Sequence, residues 1–146
     1  MAALKRTSTA VWQGDLTGTG SISTLSGAFK DQPYSVKTRF QAEDGRAGTN
    51  PEELIAAAHA GCFTMALSAQ LTNAGHKPTE LRTTAAVSIE KQGAGWTITN
   101  IHLDVTGKVP GVSAEQFQSL ADAAKQGCPV SKALSATPIT MAAKLA

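Results

Sequence analysis

The alternation of apolar and polar residues predicts three short strands in the first part of the chain. We expect them at residues 9–13, 21–25 and 34–41. The last of these segments alternates regularly, and this alternation places Arg39 on the polar face of the strand. Glycines between the first two strands are expected to form turns.

A long apolar segment with clear end signals predicts a helix from residue 51 to the turn at Gly75. Asn50 can cap this helix, and Pro51 suits its first position. Glu52 and Glu53 follow, where the positive end of the helix dipole favours carboxylates. Gly75 is typical of the residue just after a helix.

This helix has no charged face, because residues 54–76 contain no Asp, Glu, Lys or Arg. It should therefore be buried on most sides. At about 1.5 Å per residue it is roughly 36 Å long, more than one small subunit can surround. A second copy of the chain is the simplest cover, so we infer a homodimer.

The second half of the chain predicts a hairpin from strands at residues 83–90 and 96–106. The apolar pattern of the second strand changes phase at Asn100, which indicates a bulge. The two strands are followed by helices and a last strand, so the order of elements predicts an α+β fold.

The remaining elements have local signals of their own. Ser113 and Gln116 form a capping box at the start of a helix that ends at Gly127. A short helix is expected to begin after Cys128, and a final strand to cover residues 139–145.

Composition limits the classes of protein that the chain can belong to. Its 146 residues, 42% hydrophobic and 16% charged, predict one globular domain over residues 1–146. The 13 basic and 11 acidic residues nearly cancel and are scattered, which argues against nucleic acid as a partner. Neither a signal peptide nor a membrane span is expected, since the uncharged helix is mostly alanine with interspersed polar residues. We expect a cytoplasmic protein.

The two cysteines, Cys62 and Cys128, are either inert or chemically active, because the cytosol disfavours lasting disulfides. Cys62 lies among small residues of the long helix, where a cysteine can be a simple core residue. Cys128 lies at a helix N-terminus, which favours a thiolate, although it can equally be an unreactive turn residue.

Arg39 is a candidate cation for ionising a thiol, and Glu52 or Glu53 is available to hold its guanidinium group. The alternative is that Arg39 is an ordinary solvated strand residue. The spacing adds one constraint, because ten residues of helix between Glu52 and Cys62 correspond to roughly 15 Å along the axis and about 80° around it.

The histidines indicate no metal site. His59 precedes Cys62 by three residues and shares its helix face, so it can form a Cys–His pair or be a hydrogen-bonded core residue. His76 and His102 have no cysteine or carboxylate neighbours at a metal-ligand spacing.

Three motifs resemble those of the OsmC and organic hydroperoxide resistance family. They are TNPEEL at residues 49–54, AAAHAGCF at 56–63 and GCPVS at 127–131. Shorter matches are WQGD at 12–15, QPY at 32–34 and TRF at 38–40, so the resemblance covers nearly the whole chain.

The resemblance implies an OsmC-like fold, an intertwined homodimer whose β-sheets wrap around two central buried helices. Two active sites then lie at the subunit interface. By motif position, Cys62 is similar to the peroxidatic cysteine of the family and Cys128 to its resolving cysteine. Arg39 and Glu52 occupy the places of the activating arginine and its acidic partner. If both act in one site, either the helix breaks between Glu52 and Cys62 or Glu52 reaches the other subunit.

The implied function is a thiol-dependent peroxidase of the oxidative and osmotic stress response. His59 stands where the organic hydroperoxide resistance branch has tyrosine, so the chain resembles the OsmC branch. The expected substrate is an organic hydroperoxide, with hydrogen peroxide less favoured. No cofactor is expected to be bound, and a dithiol such as dihydrolipoamide, free or on a lipoylated protein, is the implied reductant. The alternative is a non-enzymatic dimeric module that binds a small apolar ligand.

Overall fold

The computed structural model describes residues 1–146, which divide into two compact units, Met1–Pro51 and Glu52–Ala146. The expectation of a single domain therefore remains a prediction. In the smaller unit, three antiparallel strands follow the chain order: β1 (Ser8–Gln13), β2 (Thr19–Thr24) and β3 (Gln32–Tyr34). The first two predicted strands are confirmed.

A close approach of two aromatic rings fixes the middle of this small sheet. Gly20 pairs with Trp12 on one side and Tyr34 on the other. The two rings meet edge to face, with centroids 5.6 Å apart. A Cβ atom at residue 20 would lie 2.5 Å from the Tyr34 ring and 2.7 Å from the Trp12 ring. Only glycine leaves room for this ring pair.

The predicted strand at residues 34–41 is wrong beyond its first residue. After Tyr34 the chain enters a short π-helical turn, Lys37–Gln41. The backbone N–H of Ser35 donates to Thr38 Oγ1 at 2.9 Å, and the N–H of Thr38 donates to Ser35 Oγ at 3.1 Å. These local bonds satisfy the backbone and compete with strand pairing. Arg39 consequently lies on a helical turn and not on the polar face of a strand.

The larger unit contains three helices and a three-stranded sheet. In chain order these elements are α1 (Pro51–Asn73, whose first residue closes the smaller unit), β4 (Glu80–Gln92), β5 (Gly95–Lys108), α2 (Ala114–Gly127), α3 (Pro129–Ala133) and β6 (Ile139–Leu145). The sheet order is β4-β5-β6, with β4 and β5 antiparallel and β5 and β6 parallel. The predicted α+β class is therefore confirmed.

The local predictions for this unit also hold. In the β4–β5 hairpin Ser88 pairs with Asn100 and Ile89 with Ile98, which leaves one extra residue on β5 and confirms the bulge. The capping box at Ser113 and Gln116 is present, with both of its hydrogen bonds formed.

One apolar cluster forms the interior of the larger unit. It combines one face of α1, alternate residues of β5, the residue after β5, one stripe of α2 and the residue before α3: Phe63, Leu67, Leu71, Ile101, Leu103, Val105, Val109, Phe117, Ala121, Ala124 and Cys128. Cys128 is thus part of the core, so a shift of its backbone would disturb the packing of the apolar cluster.

The opposite face of α1 has no cover within one chain. Ala57, Gly61, Met65 and Ala69 are exposed at four-residue intervals, and Met65 retains 76% of its accessible surface. The predicted burial on most sides is therefore not reached within one chain. By length and composition alone α1 is apolar enough to cross a membrane, a test that the core helix of a soluble protein also passes.

Gly107 of β5 lies where α2 packs closely on the sheet, so a substitution there tests this packing. A Cβ atom at Gly107 of β5 would lie 2.6 Å from the ring of Phe117 and 3.2 Å from Leu81 Cδ2. We expect Gly107→Ala to lower the free energy of unfolding by about 1–3 kcal/mol, because the ring is buried and has little room to shift.

Urea denaturation of the purified variants measures this effect. The matched control is Gly95→Ala on the same strand, where an added Cβ meets no atom within 4 Å. That control should change the free energy of unfolding by no more than about 0.5 kcal/mol. Equal destabilisation by both substitutions would contradict the packing argument.

Candidate active site

The two cysteines lie side by side, although 66 positions separate them along the chain. Their sulfur atoms are 3.2 Å apart, and both are free thiols. Cys62 comes from the middle of α1 and is half-buried, whereas Cys128 is fully buried. Since a disulfide bond is about 2.05 Å long, a small movement of either side chain is enough to join them.

The start of α3 directs hydrogen-bond donors at both sulfurs. Cys128 caps this helix and Pro129 takes its first position, where no N–H is needed. Hydrogen bonds from the next two amides favour the ionised thiols: that of Val130 lowers the pKa of both cysteines, and that of Ser131 lowers the pKa of Cys128. Such donors stabilise a thiolate.

The pKa values of the two thiols move in opposite directions. Burial raises the pKa of Cys62, and the neighbouring Cys128 raises it further, against the opposing hydrogen bond from Val130. Burial alone would also raise the pKa of Cys128. Hydrogen bonds from the Ser131 amide, the Cys62 thiol, the Ser131 hydroxyl and the Val130 amide outweigh it, so the pKa of Cys128 is lowered.

The proton between the two sulfurs can be placed in two ways. The contact geometry allows Cys128 to donate to Cys62, whereas the lowered pKa of Cys128 requires Cys62 to donate. We adopt the second arrangement, because Cys128 receives bonds from two amides and a hydroxyl while Cys62 receives one from an amide.

His59 and Ser131 form a buried polar pair behind the cysteines. His59 Nε2 lies 2.7 Å from Ser131 Oγ, the His59 ring is fully buried and Ser131 is 5% exposed. Burial lowers the pKa of His59, so the ring is neutral near pH 7. The interpretation of His59 as a hydrogen-bonded core residue is confirmed. Ser131 received no role from the sequence, although its position three residues after Cys128 on α3 was a usable signal.

The structure distinguishes the two glutamates at the start of α1. Glu52 is buried and retains 6% of its accessible surface, whereas Glu53 is exposed. Both glutamates make interactions, but only Glu52 is withdrawn from solvent, and a buried carboxylate is costly without a partner. Arg39 belongs to the smaller unit, where it is half-buried with its guanidinium group 4.8 Å from the centre of the Phe40 ring.

The long helix is unbroken between Glu52 and Cys62, since α1 runs without interruption from Pro51 to Asn73. The ten residues between them therefore span roughly 15 Å along the axis, on faces about 80° apart. A direct contact within one chain is excluded. Of the two sequence-based alternatives, the break in the helix is wrong.

A close pair of thiols, one half-buried and one fully buried at a helix start, is typical of two-cysteine redox proteins. The comparisons with known proteins agree. The family model described as OsmC-like protein matches residues 42–143. Peroxiredoxin OsmC of Escherichia coli strain K12 is 52% identical over 126 residues, which cover 86% of each chain.

Two further relatives extend the likeness to the organic hydroperoxide resistance branch. The organic hydroperoxide resistance protein of Xanthomonas axonopodis pv. citri is 37% identical over 90 residues, or 61% of each chain. The crystal structure of OhrB of Bacillus subtilis matches 96% of this chain and 98% of its own, with a TM-score of 0.70 and 27% identity. The chain belongs to the OsmC family, and the resemblance inferred from the sequence is confirmed.

Proposed function

We propose that this protein reduces organic hydroperoxides through Cys62 and a disulfide between Cys62 and Cys128. The enzyme class follows from the relatives, which are named peroxiredoxin and organic hydroperoxide resistance protein: the chain is a cysteine-based peroxidase. Nothing favours the alternative of a non-enzymatic module for apolar ligands. The observation that carries the proposal is the 3.2 Å distance between the two sulfur atoms.

The reaction begins when the Cys62 thiolate attacks the peroxide. A sulfur–oxygen bond forms, the oxygen–oxygen bond breaks, and the departing alkoxide takes up the proton that Cys62 gave up on becoming a thiolate, which gives an alcohol. Cys62 becomes a sulfenic acid. Cys128 then condenses with it, water leaves, and the disulfide is reduced by exchange with an external dithiol.

Accessibility assigns the first step to Cys62. Cys128 has the lower pKa, which by itself favours it as the nucleophile. It is nevertheless fully buried, whereas Cys62 is half-buried. A thiolate that the substrate cannot reach does not react with it, so Cys62 meets the peroxide and Cys128 resolves the sulfenic acid.

Cys62 needs a positive charge to act as a thiolate, because its burial raises its pKa. We assign this charge to Arg39, with Glu52 as the carboxylate that orients the guanidinium group. The burial of Glu52 supports its assignment over that of the exposed Glu53. Both roles match the family motif positions.

A second copy of the chain is the proposed cover for α1. The uncovered stripe, defined as Ala57, Gly61, Met65 and Ala69, carries no charge and consists of three small residues and one flexible side chain. Such a stripe lets two helices approach closely. In this homodimer Glu52 of one subunit acts with Cys62 of the other, which the unbroken helix prevents within one chain.

The reductant and the location complete the proposal. A small dithiol such as dihydrolipoamide, free or attached to a protein, suits a disulfide in which one partner, Cys62, is only half-buried. The cytoplasm is the compartment in which such a pair of thiols is kept reduced between turnovers.

The first prediction concerns the division of labour between the cysteines. Cys62→Ser should abolish reduction of cumene hydroperoxide with dithiothreitol, because no other residue is proposed to attack the peroxide. Cys128→Ser should permit one oxidation but no efficient turnover. Mass spectrometry of the wild type after one equivalent of peroxide should detect the Cys62–Cys128 disulfide. Peroxide consumption that leaves both thiols reduced would sink the proposal.

The second prediction concerns the charge of Arg39. Arg39→Met should raise the pKa of Cys62 further, so less thiolate is present at a given pH. The pH profile of cumene hydroperoxide reduction should shift to higher pH, and kcat/KM at pH 7 should fall about tenfold or more. The matched control is Arg46→Met, a substitution of an exposed arginine in the same unit. Equal pH profiles for the two variants would remove Arg39 from the mechanism.

The third prediction concerns sharing of the site between subunits. Cys62→Ser and Glu52→Ala proteins should each be inactive, and a heterodimer of the two should regain up to about half of the activity per dimer. Refolding the mixture together and purifying it by two different tags isolates the heterodimer, whose mass light scattering verifies. A verified heterodimer as inactive as both parents would show that Glu52 acts otherwise.

A further inference from the structure

A buried chain of polar groups leads from α1 to the fully buried cysteine. His59 Nε2 lies 2.7 Å from Ser131 Oγ, across 72 positions of sequence. Ser131 follows Cys128 by three residues at the start of α3, and a hydrogen bond from its hydroxyl is one of the causes that lower the pKa of Cys128. All three residues are at least nine-tenths buried, so solvent does not compete for these bonds in the folded protein.

The number of available protons determines the direction of the hydrogen bonds among His59, Ser131 and Cys128. The Ser131 hydroxyl has one proton, so it can donate either to the Cys128 sulfur or to His59, but not to both. If it donates to sulfur, His59 must carry its proton on Nε2 and donate to Ser131 Oγ. The second ring nitrogen then has only a lone pair.

The environment of His59 Nδ1 selects this tautomer. Nδ1 is buried and has no hydrogen-bond partner. A proton on Nδ1 would be an unpaired buried donor, and the Ser131 hydroxyl would turn away from sulfur to donate to Nε2. With the proton on Nε2, the ring N–H donates to Ser131 Oγ and the Ser131 hydroxyl donates to the Cys128 sulfur, so both donors have an acceptor.

We propose that His59 is a positioning residue, which holds the Ser131 hydroxyl toward Cys128 and thereby speeds closure of the Cys62–Cys128 disulfide. The proposal rests on the proposed function, in which Cys128 is the resolving thiol. It gives His59 no direct role in the attack of Cys62 on the peroxide.

The step assisted in this way is balanced without any added reactant. The thiolate sulfur of Cys128 attacks the sulfur of the Cys62 sulfenic acid, so the S–S bond forms and the S–O bond breaks. The departing oxygen takes up the proton that Cys128 has given up and leaves as water. His59 remains neutral throughout, and Ser131 keeps its proton while its hydroxyl stabilises the attacking thiolate.

Three variants separate positioning from packing. Ser131→Ala removes the hydroxyl, and His59→Phe keeps a ring but removes the donor. His59→Gln is the rescue variant, because its amide N–H can donate to Ser131 Oγ in place of Nε2. Near-ultraviolet circular dichroism verifies that each variant is folded, and Ser131→Ala, which loses only one oxygen atom, guards against failure of the His59 variants to fold.

Single-turnover kinetics provide the readout. Reduced protein is mixed with one equivalent of cumene hydroperoxide and quenched at intervals, and mass spectrometry separates the Cys62 sulfenic acid, trapped with dimedone, from the disulfide. The rate of Cys62 oxidation should change much less than the rate of disulfide closure in all variants. Disulfide closure should slow about tenfold in Ser131→Ala and His59→Phe, and His59→Gln should restore it to within about twofold of the wild type.

The outcomes distinguish this inference from the proposed function. If the wild type forms no peroxide-dependent disulfide, the proposed function fails whatever the variants do. If it does form one, wild-type closure rates in Ser131→Ala and His59→Phe overturn the positioning role. Equal slowing in all three variants, including His59→Gln, also overturns it, because it indicates a packing requirement without any need for a donor.

Discussion

The structure depends on the burial of one face of α1 in the core of the larger unit. Phe63, Leu67 and Leu71 from this face join residues of β5 and α2 in a single apolar cluster. Truncation of one large core side chain of this kind to alanine typically costs about 2–5 kcal/mol, a large part of the stability of a small domain. Because Cys62 directly precedes Phe63 on α1, the packing of the Phe63 ring in the core also helps to position Cys62. Cys128 belongs to the same cluster, so the force that folds the unit also brings the two thiols together.

Local signals in the sequence were sufficient for most elements. The start of α1 at Pro51, the bulge on β5 and the capping box at Ser113 each depend on residues close in sequence, and each was predicted. The failure at residues 34–41 has the same origin. Alternating residues resemble a strand, but the reciprocal bonds between Ser35 and Thr38 satisfy the backbone in a helical turn. Periodicity does not register such a pair of side-chain bonds.

The geometry of the site is a different matter, since it depends on contacts between distant segments. The family motifs named Cys62, Cys128, Arg39 and Glu52, but no pattern in one sequence gives the 3.2 Å between sulfurs that are 66 positions apart. The hydrogen bond between His59 and Ser131 spans 72 positions and likewise could not be predicted from the sequence. Sequence and structure contribute different parts: the sequence names the candidate groups, and the structure gives their burial, their separation and their hydrogen-bond donors.

The long separation of Cys62 and Cys128 along the chain has a thermodynamic consequence. A disulfide between them closes a loop of 66 residues, and in the chain-entropy account such a crosslink destabilises the unfolded ensemble by about 4 kcal/mol. The native state is little disturbed, because its sulfurs are already neighbours. Formation of the disulfide therefore raises the free energy of unfolding, and its reduction lowers that free energy again. In the proposed mechanism, the disulfide form that awaits its reductant is therefore more resistant to heat, denaturant and proteolysis than the dithiol form.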